Sequence, residues 1–530
     1  MPYTGENYDV AIVGFGPAGE TLASTLGAAG HKVLVVEKWP QPYPLPRLTS
    51  LDGEVLRVVQ ATSVDIDQAL EGTLVLEGCA FADAEGVPAM WVPYPGMLGG
   101  WASRISMFQP DFEKAVFDKI ATMPNVEVRR GWEMTELWQD SDWTHFIVTP
   151  LRQPGAAEAP ASQTLRARYV VGTDGARSFV RQAIAVGMHD YDMHQRWLNF
   201  DATHLKPIPK EMMNLRIFMD PERPHMYMPI GKRGLRMEFR VMEGETDEEV
   251  CQPEVAWAFM ERKYGLGRDD VKLMRQVVYH YRTRIAEQWR QKRVFLAGDA
   301  AHMMPPYMGQ GACAAIRDAR NLGWRLDEVL SGRCADALLD DYQVEREPHV
   351  TTIVLASDRL SHVVNITDPV AAEHRNRGMR EHGEMQPPSL PSLTAGAIHH
   401  EADGSIAGAS GQFTPQGRLQ RGGRERLGDD LLGSGVQLWL RRDLMAELPA
   451  SHRAWLDRMA CSVAVFQDPA SSHAVKDVEG IYLQFLDQYE ADFVIVRPDF
   501  YAFGAGKAGQ LAFFIEEFAS RLHAAQGPAS

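Results

Sequence analysis

Residues 293–321 (RVFLAGDAAHMMPPYMGQGACAAIRDARN) combine residue types that could hold a flat, polar ligand at the edge of a sheet. Arg293 to Ala297 is predicted as a short apolar strand, and Gly298 and Asp299 follow it directly. This order places a lone carboxylate at the carboxyl end of the strand, where open α/β sheets bind their ligands. Gly298 and Asp299 are therefore candidate ligand-binding residues.

The loop that follows supplies a second kind of binding group. Pro305 and Pro306 precede Gly309-Gln310-Gly311, which opens a helix predicted from about Ala312 to Leu330. The loop glycines let a flat ligand approach the backbone closely. The helix start offers unpaired N–H groups and about half a positive charge to an electron-rich ring edge.

A dinucleotide motif lies near the start of the chain. Gly14-Phe15-Gly16-Pro17-Ala18-Gly19 follows a strand predicted at Tyr8–Val13 and opens a helix predicted at Ala18–Ala29. Glu37 ends the next predicted strand, Lys32–Glu37. In this setting the glycines allow close approach of a pyrophosphate, the helix start binds its phosphates, and Glu37 can bond a ribose hydroxyl. The candidate residues of this site are Gly14, Gly16, Pro17, Ala18, Gly19, Glu37 and Lys38.

The two sites together indicate one cofactor, because a dinucleotide end and a reactive end should belong to the same ligand. This combination points to flavin. A second match, Gly504 to Gly509, also follows a strand and precedes a helix. The chain ends at Ser530 and leaves no room for a second strand with a ribose-binding acid, so we interpret the match as a turn before the terminal helix.

Three further positions are ambiguous when each is considered alone. Arg47, in PLPRLTSLDGE, can reach a phosphate or a flavin edge, or it can lie solvated in a loop. Gln109 precedes Pro110 at a predicted helix start, where glutamine is also ordinary surface chemistry. Asp174 begins an Asp-Gly turn after another predicted strand, and a tight turn is the simpler interpretation.

Composition limits the classes of protein that the chain can represent. At 530 residues it is too long for one core, and two or three domains are expected. The net charge of −16 argues against a nucleic-acid partner. Neither a signal peptide nor a membrane span is evident. The five cysteines are odd in number and lack a CxxC, so we expect reduced thiols and no metal site. Reduced thiols in turn favour a cytoplasmic protein. A homodimer is one of the assemblies that the sequence allows.

The wider pattern predicts an α/β fold with a Rossmann-like domain and an inserted antiparallel sheet. Long alternating segments run from about 190 to 285 and include a predicted hairpin around Gly231–Gly234. Ser50 is predicted to cap a helix that runs to about Gln60. A loop is predicted at 153–163 and a linker at 386–396. Beyond the linker, a small α/β domain is predicted from strands at Val436–Leu440, Ser462–Phe466 and Phe493–Val496 and a closing helix at Leu511–His523.

Taken together, these motifs resemble those of the FAD-dependent aromatic hydroxylases, the group A flavoprotein monooxygenases. The matching stretches occur in the family's order over roughly the first 330 residues. They are GFGPAG with Glu37, PRLTSLDGE, FQPDFE, VVGTDGARSFVR, and RVFLAGDAAHMMPPYMGQG with DARN. The spelling of GQGACAAIRDARNLGW and the additional C-terminal region are most similar to the 3-(3-hydroxyphenyl)propionate hydroxylase branch.

The resemblance implies a role for each candidate cofactor residue. Asp299 would bond the ribityl chain, and Pro306 together with Gly309–Gly311 would flank the isoalloxazine. Arg47 and Gln109 would contact the cofactor, with Arg47 also serving the movement of the flavin between positions. The remaining candidates at this end are Gly298 and Ala312.

The resemblance also implies that Asp174 contributes to FAD and nicotinamide recognition, although Thr173 replaces a smaller expected residue. It implies a thioredoxin-like C-terminal domain, which here contains only Cys461, so packing or assembly is favoured over dithiol chemistry. The predicted domains are an FAD-binding domain at 1–75, 106–189 and 286–385, a substrate-domain segment at 76–105, a substrate-binding sheet at 190–285, the linker, and the thioredoxin-like domain at 397–530.

The implied activity is an NAD(P)H- and O₂-dependent hydroxylation through a flavin C4a-hydroperoxide. The best substrate prediction is a phenolic acid similar to 3-(3-hydroxyphenyl)propionate. Arg47, Pro306, His302 and Tyr227 are the candidate catalytic residues, although His302 could simply brace its loop. Tyr227 lies in the predicted substrate domain, where buried aromatic residues most often form core. The same holds for His204, Tyr279 and Tyr281.

The residue that activates the phenol cannot be assigned from the sequence. Arg216, Arg236 and Arg240 could bind a substrate carboxylate. However, residues 236–240 alternate strictly between charged and apolar types, which predicts a solvated outer face for Arg236 and Arg240.

Other functions remain as alternatives at this point. The substrate could be a larger phenol, an aromatic polyketide or a heterocycle. The enzyme could be a flavin oxidase, whereas a halogenase is disfavoured because no WxWxIP stretch occurs. A non-enzymatic binding protein on the same fold is disfavoured by the intact segment 293–311.

Overall fold

The computed structural model describes residues 6–151, 161–386, 389–525 and 527. The predicted loop at 153–163 and the predicted linker at 386–396 therefore lie in part outside the described residues. The helices are α1 Pro17–Ala28, α2 Gly53–Ala61, α3 Ile66–Leu70, α4 Gln109–Ala121, α5 Phe179–Ala183, α6 Asp247–Val250, α7 Pro253–Tyr264, α8 Gly311–Leu330, α9 Asp341–Val364, α10 Pro369–His382, α11 Gly428–Leu432, α12 Ala450–Arg458, α13 Ile481–Gln488 and α14 Leu511–Arg521.

The strands alternate with these helices and build several mixed sheets. They are β1 Asn7–Val13, β2 Val33–Glu37, β3 Ser50–Asp52, β4 Leu74–Val75, β5 Gly78–Ala82, β6 Pro88–Pro93, β7 Met97–Leu98, β8 Trp101–Ala102, β9 Arg104–Ser106, β10 Val126–Arg130, β11 Trp132–Gln139, β12 Thr144–Pro150, β13 Gln163–Gly172, β14 Met188–His204, β15 Leu215–Phe218, β16 His225–Ile230, β17 Gly234–Arg240, β18 Val271–Ala286, β19 Arg290–Gln291, β20 Val294–Leu296, β21 His302–Met303, β22 Arg418–Arg421, β23 Arg424–Leu427, β24 Gln437–Leu440, β25 Ser462–Val465, β26 Lys476–Asp477, β27 Phe493–Val496 and β28 Ala502–Gly506. The fold is thus α/β, as predicted.

The first sheet brings distant parts of the chain to one edge. β1 pairs in parallel with β2 and β13, β2 pairs in parallel with β10, and β13 pairs in parallel with β20. The carboxyl ends of these strands therefore meet at one edge of the sheet. Gly14, Glu37, Asp174 and Gly298 lie at or just beyond those ends.

The second sheet has the order β21-β18-β14-β17-β16-β15-β5-β6 and includes the predicted hairpin between β16 and β17. One of its faces is covered by α7, where Leu235, Met237 and Phe239 share a core with Trp257. The other face carries the alternating charged residues and faces the first sheet across a cavity.

The prediction of a solvated outer face for Arg236 and Arg240 is therefore wrong. Arg236 is 6% exposed, and its neighbour Glu238 is 5% exposed. Arg240 is partly buried and donates to the carbonyl of Asn365 at 3.0 Å. The alternation of residue types is correct, but α7 covers the apolar face and so turns the charged face inward.

The predicted helix cap at Ser50 is also wrong. Ser50 lies in β3, opposite Ser106 of β9. The cap of α2 is Asp52, whose Oδ1 accepts the Val55 N–H at 3.1 Å. Both residue types cap helices well, so the pairing of β3 with β9 decides between them.

The C-terminal region contains the predicted strands and closing helix. Its four-stranded sheet has the order β25-β24-β27-β28, in which β24 and β25 are parallel and the other pairs are antiparallel. This region is joined to the rest of the chain through buried ion pairs. Arg497 binds Glu345 of α9 at 2.6 Å, and Arg57 of α2 binds Asp429 of α11 at 2.6 and 3.0 Å. Among the helices of the described residues, none combines the length and apolar character of a transmembrane span.

Replacement of Arg57 by methionine should destabilise the protein strongly. The change leaves the buried Asp429 carboxylate without its bidentate partner and removes a donor to the Thr414 carbonyl at 2.6 Å. We expect the free energy of unfolding to fall by about 3–5 kcal/mol, measured by urea denaturation. Arg418→Met, which breaks an exposed pair with Glu425, is the control and should leave the midpoint unchanged. Equal effects of the two substitutions would contradict this account.

Candidate active site

A cavity of about 1540 Å³ lies between the carboxyl edge of the first sheet and the inner face of the second. It brings together most of the residues predicted from the two motifs. The predicted residues that line it are Gly14, Gly16, Pro17, Ala18, Glu37, Lys38, Arg47, Gln109, Asp174, Gly298, Asp299, Pro306, Gly309, Gly311 and Ala312. The predicted residues outside this lining are Gly19, Gln310, His302 and Tyr227.

The N-terminal glycines form a cradle at the start of α1. A Cβ atom on Gly14, whose φ is +98°, would lie 2.5 Å from the Thr173 carbonyl oxygen. A Cβ atom on Gly19 would lie 2.3 Å from the Gly14 carbonyl oxygen. The Cβ position of Gly16, in contrast, is open space beside the helix start. The cradle is therefore tightly packed against the protein at Gly14 and Gly19 and open to the cavity at Gly16. This arrangement fits a pyrophosphate bound at the helix N-terminus.

Glu37 lies at the end of β2 and holds this cradle in place. Its Oε2 accepts the Phe15 N–H at 2.8 Å, and its Oε1 accepts the Trp39 N–H at 2.8 Å. Each carboxylate oxygen keeps a further lone pair for a ligand hydroxyl. The residue thus supports the glycine turn and can bind a ribose at the same time.

Gly298 and Asp299 join this cradle to the other end of the cavity. Gly298 has a φ of +61°, and a Cβ atom there would lie 2.9 Å from Ala315 and 3.6 Å from Ala18. This close packing brings the starts of α1 and α8 together.

The Asp299 carboxylate is exposed to the cavity and accepts no hydrogen bond from the described residues. The surrounding protein desolvates it and raises its pKa, an effect that Arg47 and His302 partly offset. A carboxylate with free acceptor positions at this point can bind ligand hydroxyls.

The start of α8 presents main-chain groups to the cavity beside Asp299. The Gln310 side chain points away from the cavity, because its Nε2 donates to Asp52 at 3.0 Å and its Oε1 accepts from Arg317 at 2.9 Å. The lining at this point comes from Gly311 and Ala312. Their unpaired N–H groups and the helix dipole favour negative charge on a ring edge.

His302 and Tyr227 make structural contacts outside the cavity lining. His302 is 1% exposed, and its Nε2 lies 2.6 Å from Asp318 Oδ2. Tyr227 is 2% exposed and donates its hydroxyl to the Glu211 carbonyl at 3.0 Å. His302 therefore braces the loop that carries Asp299, and Tyr227 belongs to the core beneath the second sheet.

Arg47 and Gln109 are connected through the main chain. The Gln109 Oε1 accepts the N–H groups of Arg47 and Leu48, both at 2.7 Å. The Arg47 carbonyl accepts from Arg236 at 2.8 Å, while its guanidinium is exposed and lies 4.1 Å from the centre of the Tyr43 ring. Its main chain is thus held from two sides, while its charged group is exposed and contacts the Tyr43 ring.

Asp174 lines the cavity, but its carboxylate is hydrogen-bonded to residues at the start of α5. Its oxygens accept from the Ser178 hydroxyl at 2.5 Å and from the Val180 N–H at 3.1 Å. Burial raises the pKa of this carboxyl, and the two hydrogen bonds oppose that shift.

A buried pair of carboxyl groups behind the Arg47 loop was missed in the sequence. Glu20 of α1 and Glu113 of α4 lie together, and Gln109 Nε2 donates to Glu113. Burial raises the pKa of Glu113 to about 7 and raises that of Glu20 as well. No single-sequence pattern would reveal the pair, because the two residues come from different helices.

The inner face of the second sheet contributes polar residues, of which Asp201 and Arg275 were not identified from the sequence. Asp201, which is fully buried, accepts from Arg236 Nε at 2.8 Å and from Arg275 Nη2 at 2.6 Å. Both arginines also donate to the Pro46 carbonyl at 2.7 Å. Beside them, Glu238, Tyr279 and Tyr281 line the cavity. The cavity therefore has one half lined by the glycine cradle and Asp299, and a second half that is polar and aromatic.

Comparison with known proteins gives one consistent result. The chain matches an FAD binding domain model over residues 7–357 and an HcaD C-terminal domain model over residues 411–521. It is 33% identical over 527 residues to a "Probable NADH-specific resorcinol 4-hydroxylase" of Rhodococcus jostii (strain RHA1), covering 97% of this chain and 95% of that protein.

A second relative is the 3-(3-hydroxy-phenyl)propionate/3-hydroxycinnamic acid hydroxylase of Mycobacterium sp. (strain JLS), 32% identical over 544 residues, with 98% of this chain and 93% of that protein covered. Among solved structures, the flavin-dependent monooxygenase PieE in complex with FAD and substrate has a TM-score of 0.82 at 19% identity, covering 98% of this chain and 99% of that chain. At that identity the likeness shows the fold.

Asp299→Ala should weaken the retention of FAD. The substitution removes a free carboxylate acceptor, and a hydrogen bond to a charged group contributes about 1.5–3 kcal/mol, so the Kd for FAD should rise about 10- to 100-fold. Fluorescence titration of the apoprotein with FAD measures the change. The control is Asp457→Ala, which removes an exposed carboxylate on α12. Unchanged FAD affinity of Asp299→Ala would refute its role.

Glu113→Gln should reduce the pH dependence of stability. The carboxyl of the folded protein has a pKa of about 7 instead of 4.5, so its stabilising contribution is complete below about pH 4.5 and is lost as the pH rises to about 7. Glutamine cannot ionise, and the variant should therefore lose less thermal stability between these values than the wild type. Thermal unfolding across this range provides the measurement, with exposed Glu254→Gln as control. An unaltered slope in Glu113→Gln would show that the carboxyl is already ionised.

Proposed function

Because the chain belongs to the FAD-dependent aromatic hydroxylases, in the branch that its motifs predicted, we propose that it hydroxylates a single-ring phenol with NAD(P)H and O₂. Its membership makes it a flavoprotein monooxygenase that uses FAD. The observation that carries the proposal is the two-part cavity, in which the free Asp299 carboxylate and the start of α8 face the polar side of the second sheet.

The residues of the first half fit FAD. The start of α1 and the open side of Gly16 would hold the pyrophosphate, Glu37 the ribose, and Asp299 the ribityl hydroxyls. Bound FAD would take a hydride from NAD(P)H and supply an electrophilic oxygen atom from O₂ to an electron-rich ring. The N–H groups at the start of α8 would stabilise negative charge on the ring system, and the surrounding protein would exclude water.

The remaining residue assignments and the domain organisation complete the proposal. Arg47 would accompany movement of the flavin, because its guanidinium is exposed while its main chain is fixed. Pro306 and Gly309 would flank the flat ring, since both line the cavity near α8. The three-part FAD-binding domain, the substrate sheet at 190–285 and the thioredoxin-like domain at 397–530 remain the division that we propose, and the order of the C-terminal sheet supports its last part.

Two kinds of single-ring phenol suit the second half of the cavity. A phenolic acid similar to 3-(3-hydroxyphenyl)propionate would need a cation for its carboxylate. Arg236 and Arg275 are already engaged by Asp201 and by main-chain carbonyls. Arg282, which is exposed and lines both the cavity and a neighbouring pocket, could take that role. The engagement of Arg236 and Arg275 favours an uncharged diphenol such as resorcinol as the second candidate.

The substrate class can be tested with purified holoprotein, NADH, and either phenol. Hydroxylated product is expected from one or both, in proportion to NADH consumed. If the phenolic acid is the substrate, Arg282→Met should raise its KM by about 10-fold, because a charge-assisted hydrogen bond of about 1.5 kcal/mol is lost. The effect on resorcinol should be smaller, since it has no carboxylate. Exposed Arg424→Met is the control. NADH oxidation that yields only peroxide with both phenols would contradict the proposal and favour a larger ring or an oxidase.

A further inference from the structure

We propose that Glu238 is the proton acceptor that ionises the substrate phenol, and that Tyr281 connects it to the phenol hydroxyl. This inference rests on the proposed function, since it concerns a step that only a phenol hydroxylase needs. A phenol ring reacts with an electrophilic oxygen far better as a phenolate, yet free phenols ionise only near pH ~10. The cavity must therefore provide a group that takes the proton.

Sheet pairing places Tyr281, and with it Glu238, beside the loop that carries Pro306. Gln195 of β14 is the cross-strand partner of Tyr281 of β18. The Gln195 Oε1 accepts the hydroxyl of Tyr307, the residue after Pro306, at 2.8 Å. Glu238, Tyr281 and Tyr307 all line the cavity. A phenol held between the second sheet and the start of α8 would therefore have its hydroxyl near Tyr281.

Asp201 and Glu238 both lie on this face of the sheet, and they differ in how many of their acceptor positions remain free. Asp201 is enclosed by Arg236 and Arg275, with contacts of 2.6 to 3.1 Å, and is absent from the cavity lining. Glu238 accepts from Asn199 Nδ2 at 2.6 Å and from the Tyr281 hydroxyl at 3.2 Å, while Arg236 Nε stays 3.9 Å away. Glu238 is therefore oriented by neutral donors and keeps acceptor capacity for a proton.

The charges around Glu238 suit a base. Burial raises the pKa of Glu238 above its ordinary value, Arg236 lowers it, and Asp201 raises it further. A carboxylate with an increased proton affinity removes a proton more readily than an exposed one. The titratable and charged groups that face Glu238 are Arg236 on its own strand, Asp201 from β14, Tyr281 from β18, Tyr264 from α7, and Tyr307 from the loop after Pro306.

The proton transfer balances without a further reactant. The O–H bond of the substrate breaks, and its electron pair stays on the phenol oxygen. The proton passes to the Tyr281 oxygen as the hydroxyl proton of Tyr281 passes to Glu238 Oε2. Tyr281 ends unchanged, the substrate becomes a phenolate, and Glu238 becomes a neutral carboxylic acid. Burial and the Glu238 carboxylate both raise the pKa of Tyr281, so this residue transmits the proton and does not retain the charge.

Glu238→Gln tests the proposal, because glutamine keeps the shape and the acceptor for Asn199 but cannot take a proton. The variant holoenzyme is compared with the wild type for FAD content, NADH oxidation, and hydroxylated product from resorcinol or the phenolic acid, whichever the wild type accepts. We expect FAD content and NADH oxidation to persist, and product formation to fall about 100-fold or more. Consumed NADH should then appear as peroxide.

The pH profile separates a proton acceptor from a structural residue. Product formation by Glu238→Gln should rise about tenfold per pH unit from about pH 7 to about pH 9.5, as solution supplies the phenolate itself. The wild type should show no such rise. A fluorinated analogue of the substrate, which is a stronger acid, should be hydroxylated by the variant better than the parent phenol.

Two further variants sharpen the comparison. Tyr281→Phe should also reduce product formation, with a pH-dependent recovery like that of Glu238→Gln. Glu222→Gln, an exposed glutamate on the loop between β15 and β16, is the matched control and should behave as the wild type. Full hydroxylation by Glu238→Gln, or a loss that high pH does not restore, would overturn the assignment of Glu238. A wild type that hydroxylates no phenol would instead overturn the proposed function, and this inference with it.

Discussion

The buried carboxylate of Asp318 holds together the end of the cavity that carries Gly298 and Asp299. Its Oδ2 accepts the Gly298 N–H at 3.1 Å and lies 2.6 Å from His302, and its Oδ1 accepts from Arg346 at 2.9 Å. Burial alone would raise its pKa, but His302 and Arg346 lower it, so the group stays ionised and keeps its contacts. Because Asp299 follows Gly298 directly, the place of its free carboxylate depends on this one buried charge inside α8.

The neighbours of Asp318 extend the same constraint to the C-terminal region. Arg320 donates to the Pro498 carbonyl at 3.0 Å, and Asn321 donates to Asp499 at 2.9 Å. The DARN stretch, which carries the resemblance to the family, is thus a junction between the cavity and the last part of the chain. Breaking one member of such a buried network is costly because its partners lose their compensation. The C-terminal region therefore has a physical connection to the cavity that requires no dithiol chemistry.

The cofactor half of the cavity could be predicted from the sequence because each of its parts is local. A strand, a glycine turn and a helix need only their neighbours in the chain, as at Gly14 and Gly298. The substrate half could not be predicted in the same way. Whether the charged face of residues 236–240 points to solvent depends on α7, which follows in the chain and covers the other face. The pairing of Ser50 with Ser106, which leaves the cap to a later residue, is equally a property of the folded chain.

Burying a charged sheet face has a desolvation cost, which the ion pairs and main-chain hydrogen bonds of that face offset. Arg236 and Arg275 place their donors on Asp201 and on the Pro46 carbonyl, so the second sheet is tied to the loop that carries Arg47. The same arrangement leaves Glu238 with neutral partners. In the proposed function, cofactor binding would depend on short motifs, whereas the choice of ring would depend on strands paired across the sheet. Under the proposed function, substitutions on this inner face would change the proton acceptor and the available cations without touching the cradle, so chains with the same flavin motifs would hydroxylate different rings.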